Sequence, residues 1–392
     1  MRSPNIFPPW FRVKQPNRRP RGTRVNTAYI IPYQNPLYTR GFFLIDTVTQ
    51  LTLGAAVGEA LLGRRTGRRA ALWGSIAGMT PDLDVLLGVF TSETTQLGIH
   101  RGLSHSFVFA VLGGLVGGRL TAVIHAGLDI NWRDWSKLWF WCLLTHALLD
   151  AFTLYGTQLF NPLSDYPVAF STIFIIDPLY TLPLLAFLLM ALRHPPGARA
   201  RRRLNAAGLI ISSSYLLLTV ANALHVRAHF AEGLAQNNIA YQRLFATPTP
   251  LNNILWMGIA ESENALHVGL YSLFDAGPPV RFRRVEKNAA LIKPYQADRP
   301  LHRLHWFSRG YYRAAIKNGD VFYHDLRFGR SDLWLDAEGD YIFSFRLLRN
   351  PDNPSQMIDF AQQTPNIVFS GERLSRFLRR IKGDDTVVQY DP

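Results

Sequence analysis

Apolar residues are unevenly spread along the chain. From 47 to 225, Leu, Ala, Gly, Phe and Ile dominate, in six stretches at roughly 47–62, 70–90, 104–124, 136–155, 172–192 and 204–225. A bilayer core takes about 20 apolar residues of helix, and most of these stretches have the length. The first, TVTQLTLGAAVGEALL, is short and carries Gln50 and Glu59, which suits a half-length or tilted element. Gly54, Ala55, Ala56 and Gly58 let it pack closely on a neighbour, as do Gly113, Gly114, Gly117 and Gly118 in the third stretch. Beyond 225 the pattern changes. Helical spacing near 226–245 gives way to runs such as ALHVGLYSLFD and DYIFSFRLL, where aromatic and β-branched residues recur with period two. The segment 371–381 again reads as a helix. The fold expected is an all-α multi-pass membrane helix bundle of about five to six transmembrane stretches. A C-terminal soluble, mainly antiparallel β (α+β) domain follows. The divisions expected are a basic, disordered tail over 1–44, a membrane domain over 45–225 and an extramembrane domain over 226–392.

The chain has 392 residues and a formal net charge of +14. Such a balance suits nucleic acid or an anionic membrane surface, and the position of the charge decides. Arg64, Arg65, Arg68 and Arg69, then Arg199, Arg201, Arg202 and Arg203, sit between apolar runs. That is the positive-inside pattern, so the expected partner is the lipid bilayer, with no nucleic acid. It puts the loops 63–69 and 193–203 in the cytoplasm and the C-terminal domain on the outer, periplasmic side of a bacterial inner membrane. The basic tail runs against this if the first stretch spans. The one cysteine, Cys142, lies in an apolar run, which excludes disulfides and thiolate zinc sites.

Acids inside apolar helices are costly, about 2.5–3.5 kcal/mol for a central Asp on the insertion scale, and so are functional candidates. In GMTPDLDVLLG, Pro81 breaks the helix, and Asp82 and Asp84 repel unless a cation or proton lies between them. Capping at a helix end is the plainer reading of the pair. In HRGLSHSF, His100 and His105 flank Arg101, and Ser104 reads as the N-cap of the third helix. His146 and Asp150 share a helical face at i and i+4. They suit either a metal or a buried helix-to-helix hydrogen bond. Gln50, Asp82, Asp84, His105, His146 and Asp150 all fall in the outer halves of their stretches. Glu59 joins them only if the first element is tilted, and Asp177 lies near the outer start of the fifth. Carboxylate and imidazole without thiolate suit Zn, Mn, Fe or Mg over copper(I). The remaining histidines, among them His225, His229, His302 and His324, read as structural or solvated.

Five blocks resemble the YdjM-like family of membrane-bound, metal-dependent hydrolases. They are DTVTQLTLGAAVGEA (46–60), GSIAGMTPDLDV (74–85), HRGLSHS (100–106), THALLDAFTLYGTQ (145–158) and FIIDPLYTLP (174–183). The resemblance covers about 46–225, and the combination is specific although no single block is. It implies an inner-membrane hydrolase with a divalent metal and no established substrate. The family has a His soon after the opening Asp-x-x-Thr; this chain has Gln50.

The expected function is therefore a membrane metal-dependent hydrolase acting on a phosphoester or on an unknown small-molecule or lipid-linked substrate. Asp82, Asp84, His105, His146 and Asp150 would hold metal. His100 would be a ligand or general acid/base, Arg101 would bind a phosphate or carboxylate, and Glu59 would take part in catalysis. The alternatives are an ion-binding transporter, disfavoured by the lack of an internal repeat, and a non-catalytic envelope protein with a structural polar cluster.

Overall fold

The computed structural model describes residues 37–389 apart from 89, 278, 279, 337, 338, 368 and 369, with side chains from 47 onward. The expected tail lies outside the described residues as far as 36; helix α1 (Leu37–Thr66) begins at 37. Then come α2 (Arg68–Met79), a 3₁₀ turn (Pro81–Asp84), α3 (Val85–Gly88) and α4 (Glu93–Ile99). Helices α5 (Phe107–Ile124), α6 (Trp132–Phe152), α7 (Pro178–Leu192) and α8 (Arg199–Gln236) complete the helical part.

Helices α1 and α2 meet along a glycine seam. A Cβ on Gly74 would lie 2.2 Å from the Gly54 carbonyl oxygen, and one on Gly58 would lie 2.4 Å from the Ala70 carbonyl oxygen. Only hydrogen side chains allow that approach. Helices α5 and α6 repeat the device, with Gly118 against Ser136 and Gly117 against Trp139. Ser106, rather than the expected Ser104, caps α5 by accepting the Phe109 N–H at 3.1 Å.

The expected five to six membrane stretches are corrected. Among the described residues, two helices are long and apolar enough to cross a membrane, Phe107–Ile124 and Arg199–Gln236. The other apolar stretches do form helices, but each fails on length or polarity. α2 has 12 residues and α7 has 15, against about 20 needed. α1 carries Glu59, and α6 opens on Arg133, Asp134 and Lys137. Trp135, Leu138, Cys142 and Leu143 of α6 are buried against α1, α2 and α5. Sequence hydropathy cannot tell such a core helix from a lipid-facing one.

The C-terminal β domain fits the expectation. Strands β1 (Arg243–Pro248), β2 (Leu255–Glu261), β3 (Ala265–Ser272) and β4 (Phe282–Glu286) form one antiparallel sheet in sequence order. After α9 (Arg299–Ser308), strands β5 (Tyr312–Lys317), β6 (Asp320–Arg330), β7 (Tyr341–Arg349) and β8 (Met357–Gln363) form a second, and α10 (Gly371–Ile381) follows. The expected domain boundary at 225/226 falls inside α8, whose Val226 and Phe230 pack beside Trp256 and Tyr271. The helical pattern expected to 245 stops at Gln236.

Helix α4, between the second and third apolar stretches, ties the helical part to the second sheet. Asp359 of β8 accepts from the Thr94 N–H and hydroxyl at 3.1 and 2.6 Å. Burial pushes the neighbouring Glu93 carboxyl up to about 7, and the nearby Asp359 pushes the same way against a backbone N–H of Gln362. An acid whose pKa is raised on folding binds more protons folded than unfolded. The contact is therefore unpenalised below the ordinary glutamate range and weakens as pH rises through about 7. Glu93→Gln is expected to raise the thermal unfolding midpoint more at pH 8 than at pH 5, read by thermal shift in detergent. An equal gain at both pH values would contradict this account.

Candidate metal centre

Three elements converge in the helical part. The 3₁₀ turn after α2 brings Asp82, the turn before α5 brings His105, and the last turns of α6 bring His146 and Asp150. One ligand atom from each lies within 4.8 Å of the other three, and all four residues are buried. This group could hold a metal ion.

The geometry fixes both imidazoles. His146 Nδ1 lies 2.6 Å from the Gly78 carbonyl oxygen. That oxygen only accepts, so Nδ1 carries a proton and Nε2 faces the cluster. His105 Nδ1 lies 2.9 Å from Ser104 Oγ, whose own proton goes to Asp84 Oδ2 at 2.7 Å. Ser104 therefore accepts, and His105 Nδ1 also carries a proton. The two Nε2 atoms face each other at 3.1 Å. His105 Nε2 lies 3.4 Å from Asp82 Oδ1 and 3.3 Å from Asp150 Oδ2; His146 Nε2 lies 3.5 Å from each. Ligands about 2.0–2.1 Å from a tetrahedral zinc-sized ion stand roughly 3.3 Å apart, so these edges match.

Charge agrees with the geometry. Asp82, Asp84 and Asp150 are opposed by one guanidinium, Arg101, whose Nε lies 3.2 Å from Asp150 Oδ2. Two lone pairs aimed at each other among carboxylates require a cation or a proton between them. Burial alone would lower the His105 pKa, yet hydrogen bonds to Asp150, Asp82 and Asp84 hold it well above the ordinary imidazole range. The residues present thus fit a divalent ion.

Asp84, expected among the ligands, turns to the loop instead. Its Oδ1 lies 2.9 Å from His100 Nδ1. Its Oδ2 accepts from the Arg101 N–H at 3.0 Å and from Ser104. Burial would raise this carboxyl, but His100 and His105 outweigh it and hold it well below the usual range. Arg101 has φ 54, a left-handed conformation uncommon for a side-chain-bearing residue, and Asp84 pins it there. The Arg101 Nη1 donates to Thr153 Oγ1 at 2.8 Å.

Glu59 stands apart from the cluster, with both its oxygens taking 2.6 Å hydrogen bonds from Arg201 of α8. Gln50, at the position where the resemblance points to a His, donates to Asp150 Oδ1 at 2.8 Å. Asp177 caps α7 and accepts from the Tyr215 hydroxyl at 2.8 Å. A small cleft lined by Thr49, Thr153, Asp177 and Tyr180 backs onto Asp150. Tyr155 was not singled out from sequence. It packs its ring on His100 at 5.1 Å, lies under Arg101 at 5.2 Å, and meets Phe307 of α9 at 5.1 Å. The TLYGTQ block held the signal, because an aromatic three residues after a site helix can reach the site. Its partner, 152 positions on, could not be read from sequence.

The fold and the cluster together define a membrane-type helical protein with a buried Asp/His centre beneath an antiparallel β domain. Residues 45–226 match the model of the YdjM inner membrane protein. It is also 28% identical over 144 residues to the uncharacterized protein YfhP of Bacillus subtilis (strain 168), covering 34% of this chain and 42% of that protein. The match spans less than half the length of that relative. No solved structure matches the chain significantly.

Proposed function

We propose that this chain is a membrane-bound, metal-dependent hydrolase whose ion is held by Asp82, His105, His146 and Asp150. One observation carries the reading: two imidazoles, each donating its Nδ1–H to a fixed acceptor, aim Nε2 at one another 3.1 Å apart between two carboxylates. The donor set suits Zn, Mn or Fe, and the two imidazoles weigh against Mg. When bound, such an ion polarises a substrate oxygen and makes water a nucleophile near neutral pH.

The chain's own residues divide the remaining work. Asp84 and Gly78 orient the imidazoles, and Gln50 and Arg101 orient Asp150. Hydrolysis adds one water across an ester: a bond to the water oxygen forms, the bond to the leaving oxygen breaks, and a proton reaches that oxygen. His100, part exposed and held at Nδ1 by Asp84, would move that proton. Arg101 adds positive charge beside the reacting group.

Metal analysis of detergent-purified protein tests this first. Wild type is expected to carry about one equivalent of a divalent transition metal, and His105→Ala/His146→Ala to carry none. A wild type free of metal after purification with divalent ions present would make the cluster structural. A screen of phosphoesters and carboxylic esters then tests turnover.

A further inference from the structure

The metal centre is rimmed by apolar side chains that nothing in the protein covers among the described residues. Leu83 lies between the two acids Asp82 and Asp84 and is exposed; Leu86 and Leu87 of α3 follow, and Phe90 is 87% exposed. Phe160 packs its ring on Phe107 at 5.5 Å, and Leu163, three residues on, is 92% exposed. Phe107 opens α5, a candidate membrane span whose outer face (Val111, Leu115, Val116) is likewise exposed. The Phe107 side of the collar thus runs into the exposed face of a candidate span. A water-soluble surface rarely leaves this much apolar area open beside a polar site.

Above the collar the chemistry changes. Trp306 donates its indole N–H to the Asp165 carbonyl at 3.1 Å, and Arg303 lies 4.6 Å from the Trp306 ring centre. Arg309 lies 5.7 Å from the ring of the exposed Tyr166. Aromatic rings with Arg above exposed aliphatics make the order found where acyl chains meet headgroups. The Arg303 guanidinium suits a lipid phosphate, whereas Arg309 already donates to the Pro167 carbonyl.

We infer that this collar sits in the acyl–headgroup boundary and that the substrate of the metal centre is an anionic phospholipid taken sideways from the bilayer. The inference rests on the hydrolase reading and names its substrate class. Leu83 makes the link between the two, since the greasy rim and the ligand Asp82 are adjacent residues. In the reaction a P–O ester bond of the headgroup breaks and one to the water oxygen forms. The proton passes to the leaving alcohol.

Spin labels test the position without reference to turnover. In a Cys142→Ala background, Leu87→Cys, Leu163→Cys and the distant, exposed Ile316→Cys of β5 are labelled in full-length protein in phosphatidylglycerol-containing vesicles. Collision with oxygen is compared with collision with a water-soluble nickel chelate. The labels at 87 and 163 are expected to favour oxygen several-fold more than the label at 316. Equal chelate access at all three overturns the proposal. So do labels shielded from both reagents with spin–spin broadening, which would put a second copy of the chain on the collar. Turnover tests the substrate class: Leu86→Asp/Leu87→Asp should lose about ten-fold on phosphatidic acid or phosphatidylglycerol vesicles and hold its rate on p-nitrophenyl phosphate. Equal loss on both, or no loss on lipid, overturns the class. Failure of the hydrolase reading shows separately, as no wild-type turnover on either substrate.

Discussion

Asp84→Ala is expected to lower metal affinity and hydrolytic rate by about 100-fold, although Asp84 is not among the four ligand side chains. Groups that orient metal ligands typically account for 10–100-fold in affinity or activity, and this one carboxylate holds three neighbours at once. Its loss leaves Ser104 without an acceptor, so the serine proton is free to compete for His105 Nδ1 and the ring can turn. It also frees the Arg101 backbone, held at φ 54, to relax toward ordinary conformations and carry the guanidinium away from Asp150. His100 loses its anchor in the same step. Competition with a chromophoric chelator measures the affinity. Asp84→Asn keeps the shape, but one oxygen becomes a donor facing donors, so it should fall close to the alanine variant. Wild-type affinity in both variants would show that the loop holds itself.

Gly74→Leu is expected to destabilise the helical part by at least about 3 kcal/mol and to empty the metal site with it. The clash is with backbone, a Cβ 2.2 Å from the Gly54 carbonyl oxygen, so no side-chain rotation relieves it. Helix α2 must move off α1, and α2 carries the Gly78 carbonyl that fixes the His146 ring. Yield in the membrane fraction and bound metal per chain should fall together. Leu72→Ala on the same helix, at an exposed position, is the control and should change neither.

The local parts of this site were open to reading from the sequence. Asp82, His146 and Asp150 were conspicuous as polar groups in apolar stretches, His105 by its place in HRGLSHSF, and the i, i+4 spacing joined His146 to Asp150. What could not be read was which carboxylate faces the ion. Asp82 and Asp84 are two residues apart in a 3₁₀ turn, where a small change of pitch reverses their roles. Glu59 looked functional for the same reason as the others, a charge in an apolar run, but its partner Arg201 lies 142 residues away. Spans were overcounted because a helix buried by protein and one buried by lipid share a composition. The β domain was visible where strands alternate cleanly, as in β3 and β7. β1 was hidden at the end of a helical pattern, and β8, MIDFAQQ, is too polar to stand out.

Helix α8 has a mechanical consequence. Its 38 residues form a rod of about 57 Å at ~1.5 Å per residue. They run without a break from the Glu59–Arg201 pair, through a candidate span, to Phe230 beside the first sheet. No proline interrupts it and no loop lies along it to act as a joint, so it works as a lever with its load at one end. A 10° tilt in the bilayer would sweep the far end through about 10 Å. Were α8 to cross the bilayer, a change in thickness, which shifts such tilts, would reach the β domain whose α9 aromatic rests on Tyr155.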